Sequence, residues 1–213
     1  MPAELFAFGL STLTTLLFVV DPLAVVPLFI SMTGGETREQ RRATARRAAT
    51  IMFVTLTAFA LIGRQIFSAL GISLGAFQIA GGVLLFLLAI DMLRAQRSRT
   101  RTSPEEEAEG VEKTDVSVFP LAIPMLAGPG ATSTVLVLVA RASSTLERVL
   151  LVVAIAGTAS LAYLTLRSAS LVERKLGQTG MNVLERVMGL ILAATAVQFV
   201  IDGVRAELVR GPA

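Results

Sequence analysis

The residues best placed to do chemistry in this chain are a carboxylate followed by proline and a glycine–proline break, each inside an apolar run. Asp21 precedes Pro22, and Pro27 follows in the same stretch. Proline removes a backbone donor and frees the carbonyl one turn earlier. Asp before Pro reads as an N-cap followed by the first helical position, so a second half-helix starts near Asp21. Pro120, Pro124 and Gly128-Pro129-Gly130 repeat the device, and a helix restarting there runs through Ala131, Thr132, Ser133 and Thr134. A restarted helix presents bare N–H groups with a partial positive charge. Such groups suit a carboxylate, which hydroxyls such as that of Thr132 can orient. The plainer account is that Pro and Gly, common in membrane helices, only kink them.

Asp21 is the sharpest case. An ionised carboxylate deep in a bilayer costs about 2.5–3.5 kcal/mol on insertion scales, so it must be capped, paired, hydrated or protonated. It either caps the Pro22 half-helix alone or also serves an ion or proton. Asn at this position is expected to keep the fold and to change the pH dependence of any proton-coupled activity. Gln78 and Gln198 are uncharged polar groups within or at the start of apolar runs, each an interhelical hydrogen bond or a ligand. Gly81, Gly82, Gly189 and Ala193 are small enough to let helices approach closely. Asp91 and Asp202 sit near Arg94 and Arg205 at helix ends, where ion pairs or solvation account for them. The chain has no His and no Cys, which removes the commonest metal ligands and catalytic bases and leaves no cofactor motif. An intramembrane hydrolase would need Asp21 with Asp91 or Asp202, or a Ser–Lys pair, yet both lysines fall in loops.

The elements carrying these residues are membrane spans. Of 213 residues, 54% are apolar and only 16% charged, against roughly 25% charged in soluble domains, and mean hydropathy is +0.71. The first apolar stretch lacks a basic leader and a small-residue cleavage site, so it reads as a retained span. Crossing a hydrocarbon core takes about 20 apolar residues in a helix. Six stretches qualify: Leu5–Met32, Ala43–Gly63, Ile72–Leu93, Val118–Ala140, Val149–Leu166 and Val183–Ile201. They fill nearly all of residues 1–213, which read as a single transmembrane domain.

Basic residues set the orientation. The connections after the first, third and fifth spans hold Arg38, Arg41, Arg42, Arg46 and Arg47, then Arg94, Arg97, Arg99, Arg101 and Lys113, then Arg167, Arg174, Lys175 and Arg186. The other side holds only Arg64, Arg141, Arg148, Arg205 and Arg210. Both termini therefore belong on the non-cytoplasmic side. The linker, about residues 94–117, opens basic and turns acidic, as a solvated cytoplasmic loop does.

That linker separates repeat A, about residues 1–93, from repeat B, about 118–205. Each half begins with a proline-broken helix, and the third helices end alike, Ile90-Asp91-Met92-Leu93-Arg94 against Ile201-Asp202-Gly203-Val204-Arg205. Halves of three spans cross the membrane in opposite directions. The expected fold is thus all-α: six transmembrane helices in two inverted repeats, the first helix of each discontinuous. In that plan a binding site lies at mid-membrane, where the interrupted helices meet.

Two runs resemble the MarC family. One is Gly71-Ile72-Ser73-Leu74-Gly75-Ala76-Phe77-Gln78-Ile79-Ala80-Gly81-Gly82, leading to Ile90-Asp91-Met92-Leu93. The other is Val118-Phe119-Pro120-Leu121-Ala122-Ile123-Pro124-Met125-Leu126-Ala127-Gly128-Pro129-Gly130-Ala131, and Asp21-Pro22 with Pro27 is similar to the family's first-helix Asn/Asp-Pro signature. The resemblance covers nearly the whole chain. It implies a six-span bacterial inner-membrane protein related to LysE-type exporters, transporting small neutral amino acids such as alanine and glycine. Asp21, Pro22, Pro27, Pro124, Gly128, Pro129 and Gly130 fall on the matching motif positions. Where relatives often carry Arg after the Phe of the third helix this chain has Gln78, so the charge contact of that Arg does not carry over. The expected substrate-binding set is Asp21, Pro22, Pro27, Gln78, Pro124, Gly128, Pro129, Gly130 and Thr132, with the lipid bilayer as surroundings. Proton or sodium coupling and a homo-oligomer are compatible with this reading, and a nucleic-acid partner is not. A non-transporting membrane scaffold is the alternative, recognisable by a dry, fully packed midplane.

Overall fold

A computed structural model describes residues 2–94 and 115–210, so the linker expectation for residues 94–117 falls almost wholly outside the described residues. The chain forms α1 (Pro2–Val20), α2 (Pro22–Met32), α3 (Arg38–Leu70), α4 (Leu74–Arg94), α5 (Ser117–Leu126), α6 (Pro129–Arg141) and α7 (Thr145–Arg210). There is no strand among the described residues. Among the described residues, four stretches are long and apolar enough to cross a membrane: Glu4–Met32, Arg38–Gly63, Thr145–Ala169 and Arg186–Leu208. α5 and α6, bent 54° against each other, make a fifth if taken as one span, and Leu74–Ile90 is a shorter apolar helix. The protein is an all-α, polytopic membrane protein.

Local chemistry sets the helix ends. Thr37 and Gln40 form a reciprocal capping box that starts α3 at Arg38, before the apolar run begins. α3 continues through Arg64 to Leu70 and stops at Gly71, whose left-handed φ of 63° suits glycine. Phe59, Phe67 and Phe77 form an aromatic cluster with ring centroids 5.2–6.1 Å apart, Phe67 meeting Phe77 edge-on, which ties this extension to α4. At α7 the Glu147 carboxylate accepts from the Ser143 and Ser144 amides while the Ser144 hydroxyl accepts from the Glu147 amide.

The expected break between a fifth and a sixth span is absent as a loop. Helix runs without interruption from Thr145 to Arg210, because Arg167–Arg186 contains no proline and its Gly177 and Gly180 only weaken a helix. α7 is nevertheless not straight. Leu13 of α1 lies against Gly157, while Val20 of α1 shares a cavity with Leu192. On a straight helix Gly157 and Leu192 would stand about 52 Å apart, against about 10 Å for their α1 partners. The α7 axis therefore changes direction between its two apolar stretches.

The largest helix interface joins α4 to α7, and it is built on small residues. A Cβ on Gly82 would come within 2.7 Å of the Ala196 carbonyl oxygen, and one on Gly203 within 2.6 Å of the Gly75 carbonyl oxygen. Backbones approach directly there, which drives helix association where lipid offers no hydrophobic gain. Gly82→Val is expected to push the pair apart at a cost of about 1–3 kcal/mol. The check is a lowered melting temperature of the detergent-solubilised protein, and an unchanged value would refute the close approach.

The core around these helices buries Leu16, Phe29, Met52, Leu56, Leu121, Leu126 and Ile155. Outward-facing apolar side chains are abundant, with Phe18 86% and Leu23 72% exposed in the isolated chain. Such an apolar exterior belongs in lipid.

Just before α5, the Asp115 carboxylate accepts from the Ser117 amide at 3.0 Å, the Ser117 hydroxyl at 2.6 Å and the Arg47 guanidinium at 3.2 Å. Partial burial pushes the Asp115 pKa up, but the Ser117 hydrogen bonds and the Arg47 charge outweigh it and hold the pKa below 3.8. A depressed carboxylate pKa adds stability at pH values above its unfolded value, and that stability disappears as pH falls through the folded value. The pair is half exposed, so solvent screening keeps the effect under about 1 kcal/mol. Acidifying from about pH 5 to pH 3 should lower the wild-type melting temperature more than that of Asp115→Asn. Parallel curves would remove the pair from the stability account.

Candidate functional site

The first break is sharp. Asp21 takes φ 40° and ψ 69°, the left-handed region that Asp tolerates better than most residues. Its carboxylate accepts from the Ala24 amide at 3.3 Å, and Pro22 occupies the first helical position. α1 thus ends and α2 begins within one residue. Pro27 lies inside α2, buried like Pro22.

The second break is more extended. Phe119 (φ −125°, ψ 128°) and Ile123 (φ −126°, ψ 122°) are non-helical, because each precedes a proline whose ring disfavours helical backbone in the residue before it. The chain then bends at Ala127-Gly128, and α6 starts at Pro129 with Gly128 as N-cap. Glycine has no side chain to cap with, so no side chain satisfies the first-turn amides of Gly130 and Ala131. The first hydrogen bond back to the cap runs from the Thr132 amide to the Gly128 carbonyl, 2.9 Å.

Both breaks open on one cavity of about 90 Å³. α1 and α2 supply Val20 and Val25 with Asp21 between them, the second break supplies Pro124, Met125, Gly128, Gly130 and Ala131, α4 supplies Leu85, and α7 supplies Met188, Ile191, Leu192, Thr195 and Phe199. Among the described residues, Asp21 is the only charged side chain on its wall, and Thr195 the only other polar one. The space is large enough for several waters or one small molecule. Its wall carries both a carboxylate, at the α2 start, and the first turn of α6, the positive end of that helix's dipole.

Of the expected site residues, Asp21, Pro124, Gly128 and Gly130 meet on this cavity. Pro22, Pro27, Pro129, Thr132 and Gln78 are not on its wall. The Pro129 ring presses on Gly81, where a Cβ could not fit. The Thr132 hydroxyl is buried and turned to the Ala127 carbonyl at 3.5 Å. Gln78 donates through Nε2 to the Ser133 hydroxyl at 3.1 Å, and Ser133 donates to the Pro129 carbonyl at 2.6 Å. Gln78 is therefore an interhelical strut that fixes the first turn of α6 from α4. Gln198 donates to Asp202 at 2.8 Å, one turn along α7. The side chain of Asp91 lies outside the described residues.

Sequence reasoning missed the α7 wall. The Phe199 ring covers Gly130 so closely that a Cβ there would strike it, and Leu192 and Thr195 sit beside it. These residues look like ordinary apolar helix, and only the neighbouring Gln198 hinted at the region.

No cluster of three metal-ligating side chains occurs among the described residues. Among the described residues, Asp21 is joined by no second carboxylate on the cavity wall. The arrangement defines a polytopic α-helical membrane protein with two broken spans around an internal cavity. The family profile described as MarC family integral membrane protein matches residues 6–208. The chain belongs to the MarC family. It is 38% identical over 208 residues to the UPF0056 membrane protein MJ1677 of Methanocaldococcus jannaschii, covering 98% of this chain and 100% of that one. It is 37% identical to the UPF0056 membrane protein YvbG of Bacillus subtilis, covering 94% of this chain and 96% of that one. With the UPF0056 membrane protein YhcE of Escherichia coli it shares 34% identity over 88% and 87% of the two chains. No solved structure matches.

Proposed function

We propose that the protein is a secondary transporter of small neutral amino acids, working by alternating access across the cell's inner membrane. The observation that carries this reading is the shared cavity of the two breaks, lined both by Asp21 and by the first turn of α6, whose N-cap supplies no side-chain hydrogen bond. A zwitterion fits that polarity: its ammonium pairs with Asp21, and its carboxylate takes the Gly130 and Ala131 amides. Apolar walls of Val20, Leu85 and Leu192 leave room for a short side chain and offer nothing to a charged one. The substrate class follows the resemblance to amino-acid-transporting relatives. A scaffold has no use for an internal cavity with a carboxylate on its wall.

In this reading the chain crosses the membrane six times, as two inverted halves, with both termini outside the cytoplasm. Three features support it: a broken first helix in each half, the short apolar Leu74–Ile90, and the change of axis within α7. The site comprises Asp21, Pro124, Gly128 and Gly130 on the wall, supported by Pro22, Pro27, Pro129, Thr132 and Gln78. Asp21 is the group through which a proton or sodium ion would couple.

Purified protein in liposomes preloaded with unlabelled alanine or glycine should accumulate labelled substrate by counterflow. Exchange no faster than in empty liposomes, across a panel of small amino acids, would defeat the proposal.

A further inference from the structure

Two consecutive glycines of α4 hold two walls of the central cavity. A Cβ on Gly81 would drive into the Pro129 ring, and one on Gly82 would come within 2.7 Å of the Ala196 carbonyl oxygen and 2.8 Å of a Val200 methyl. The first turn of α6 and this part of α7 are therefore seated on the same turn of α4. Gln78 braces the α6 turn as well, through its 3.1 Å hydrogen bond to Ser133. Backbones packed this closely fix the spacing of the helices they join. Phe199, half-buried, precedes Val200 and reaches across to α6. A Cβ on Gly130 would come within 2.8 Å of its ring Cε1 and 3.2 Å of Cε2, with Cζ nearer still. The tip of the ring thus rests on the Gly130 backbone, and both residues line the cavity.

We propose that Phe199 is the specificity-determining residue of this site: its ring sets the upper limit on substrate side-chain size, admitting glycine and alanine and rejecting branched amino acids such as valine. This rests on the reading of the cavity as an amino-acid site and adds which residue selects. A substrate carboxylate on the Gly130 amide brings the substrate's α-carbon beside the ring, so each added methyl group is pressed toward it. The space is small. An apolar cavity of about 150 Å³ takes a molecule the size of benzene, and this one measures about 90 Å³. Walls seated on Gly81 and Gly82 do not spread to make room, so rejection comes from a clash and not from a missing attraction.

The test uses the full-length protein with glycine, alanine, valine and leucine. Counterflow in liposomes reads transport, and the rise in melting temperature in detergent reads binding. Phe199→Ala should raise the valine-to-glycine ratio of kcat/KM by about tenfold or more, chiefly through a lower KM for valine. Phe199→Leu keeps more of the packing and should shift the ratio the same way by less, which preserves the test if the alanine variant is unstable. Leu192→Ala opens the same cavity two turns away on α7 and should shift the ratio less than Phe199→Ala. An equal shift in those two variants would make total volume the limit and overturn the role of Phe199. An unchanged ratio in both Phe199 variants, with glycine exchange by wild type intact, would overturn it too and leave the transporter reading standing. Glycine stabilising wild type without exchange, and valine stabilising only Phe199→Ala, would remove transport but keep the size limit. Neither exchange nor stabilisation by any of the four amino acids, in wild type or variants, would sink both.

Discussion

Asp21→Asn is expected to cut amino-acid counterflow by about ten- to hundredfold while leaving the melting temperature near the wild-type value. The two effects separate because Asp21 does two things. Its side-chain oxygen caps α2 by accepting from the Ala24 amide at 3.3 Å, and its backbone sits at φ 40°. Asn keeps both, since its amide oxygen accepts the same bond and it tolerates left-handed backbone as Asp does. Only the negative charge goes, and with it the partner for a substrate ammonium. Asp21→Ala should lose the charge, the cap at about 1 kcal/mol and, through left-handed strain, about 1–2 kcal/mol more. Its melting temperature should therefore fall where that of Asn does not. If Asp21 also carries a proton, the pH profile of residual transport flattens in the Asn variant. Full transport by Asp21→Asn would reduce Asp21 to a cap.

Much of this site was legible because broken helices are written in residue types that have few other uses. Asp21-Pro22 and Gly128-Pro129-Gly130 state their own backbone: an N-cap, a first helical proline and a glycine where nothing larger fits. The polarity of the cavity follows from those positions. The residues that close it were not legible. Phe199 and Leu192 differ in no visible way from the lipid-facing Leu190 and Val197, because in a membrane both faces of a helix are apolar and the usual amphipathic signal is lost. Hydroxyls misled in the opposite direction. Thr132 and Ser133 look like substrate ligands, yet each turns to a carbonyl one turn back, as hydroxyls in apolar helices do. Helix continuity through Arg174 and Lys175 was hidden as well, since charge marks the edge of the hydrocarbon and not the end of a helix.

Gly128→Ala is expected to abolish transport and to lower stability by about 1–3 kcal/mol or somewhat more. The reason is contact, not backbone conformation. Gly128 has φ −72° and ψ −180°, which alanine adopts freely. A Cβ there, however, would press into the Pro124 carbonyl oxygen. That oxygen is main chain in a segment already fixed by Pro120 and Pro124, so it cannot swing aside as a side chain could. The bend between α5 and α6 would have to open, carrying the α6 N-terminus away from Asp21. Gly130→Ala makes the informative contrast, because its Cβ meets the Phe199 ring, a side chain able to rotate. That variant should keep most of its stability and lose transport through a narrowed cavity. Adding Phe199→Ala should restore room and recover part of the transport in Gly130→Ala, while doing nothing for Gly128→Ala. A double-mutant cycle reads this directly, with coupling expected between positions 130 and 199 and none between 128 and 199. Equal coupling at both positions would mean that α6 moves as a whole, and that its first turn is not a fixed wall of the cavity.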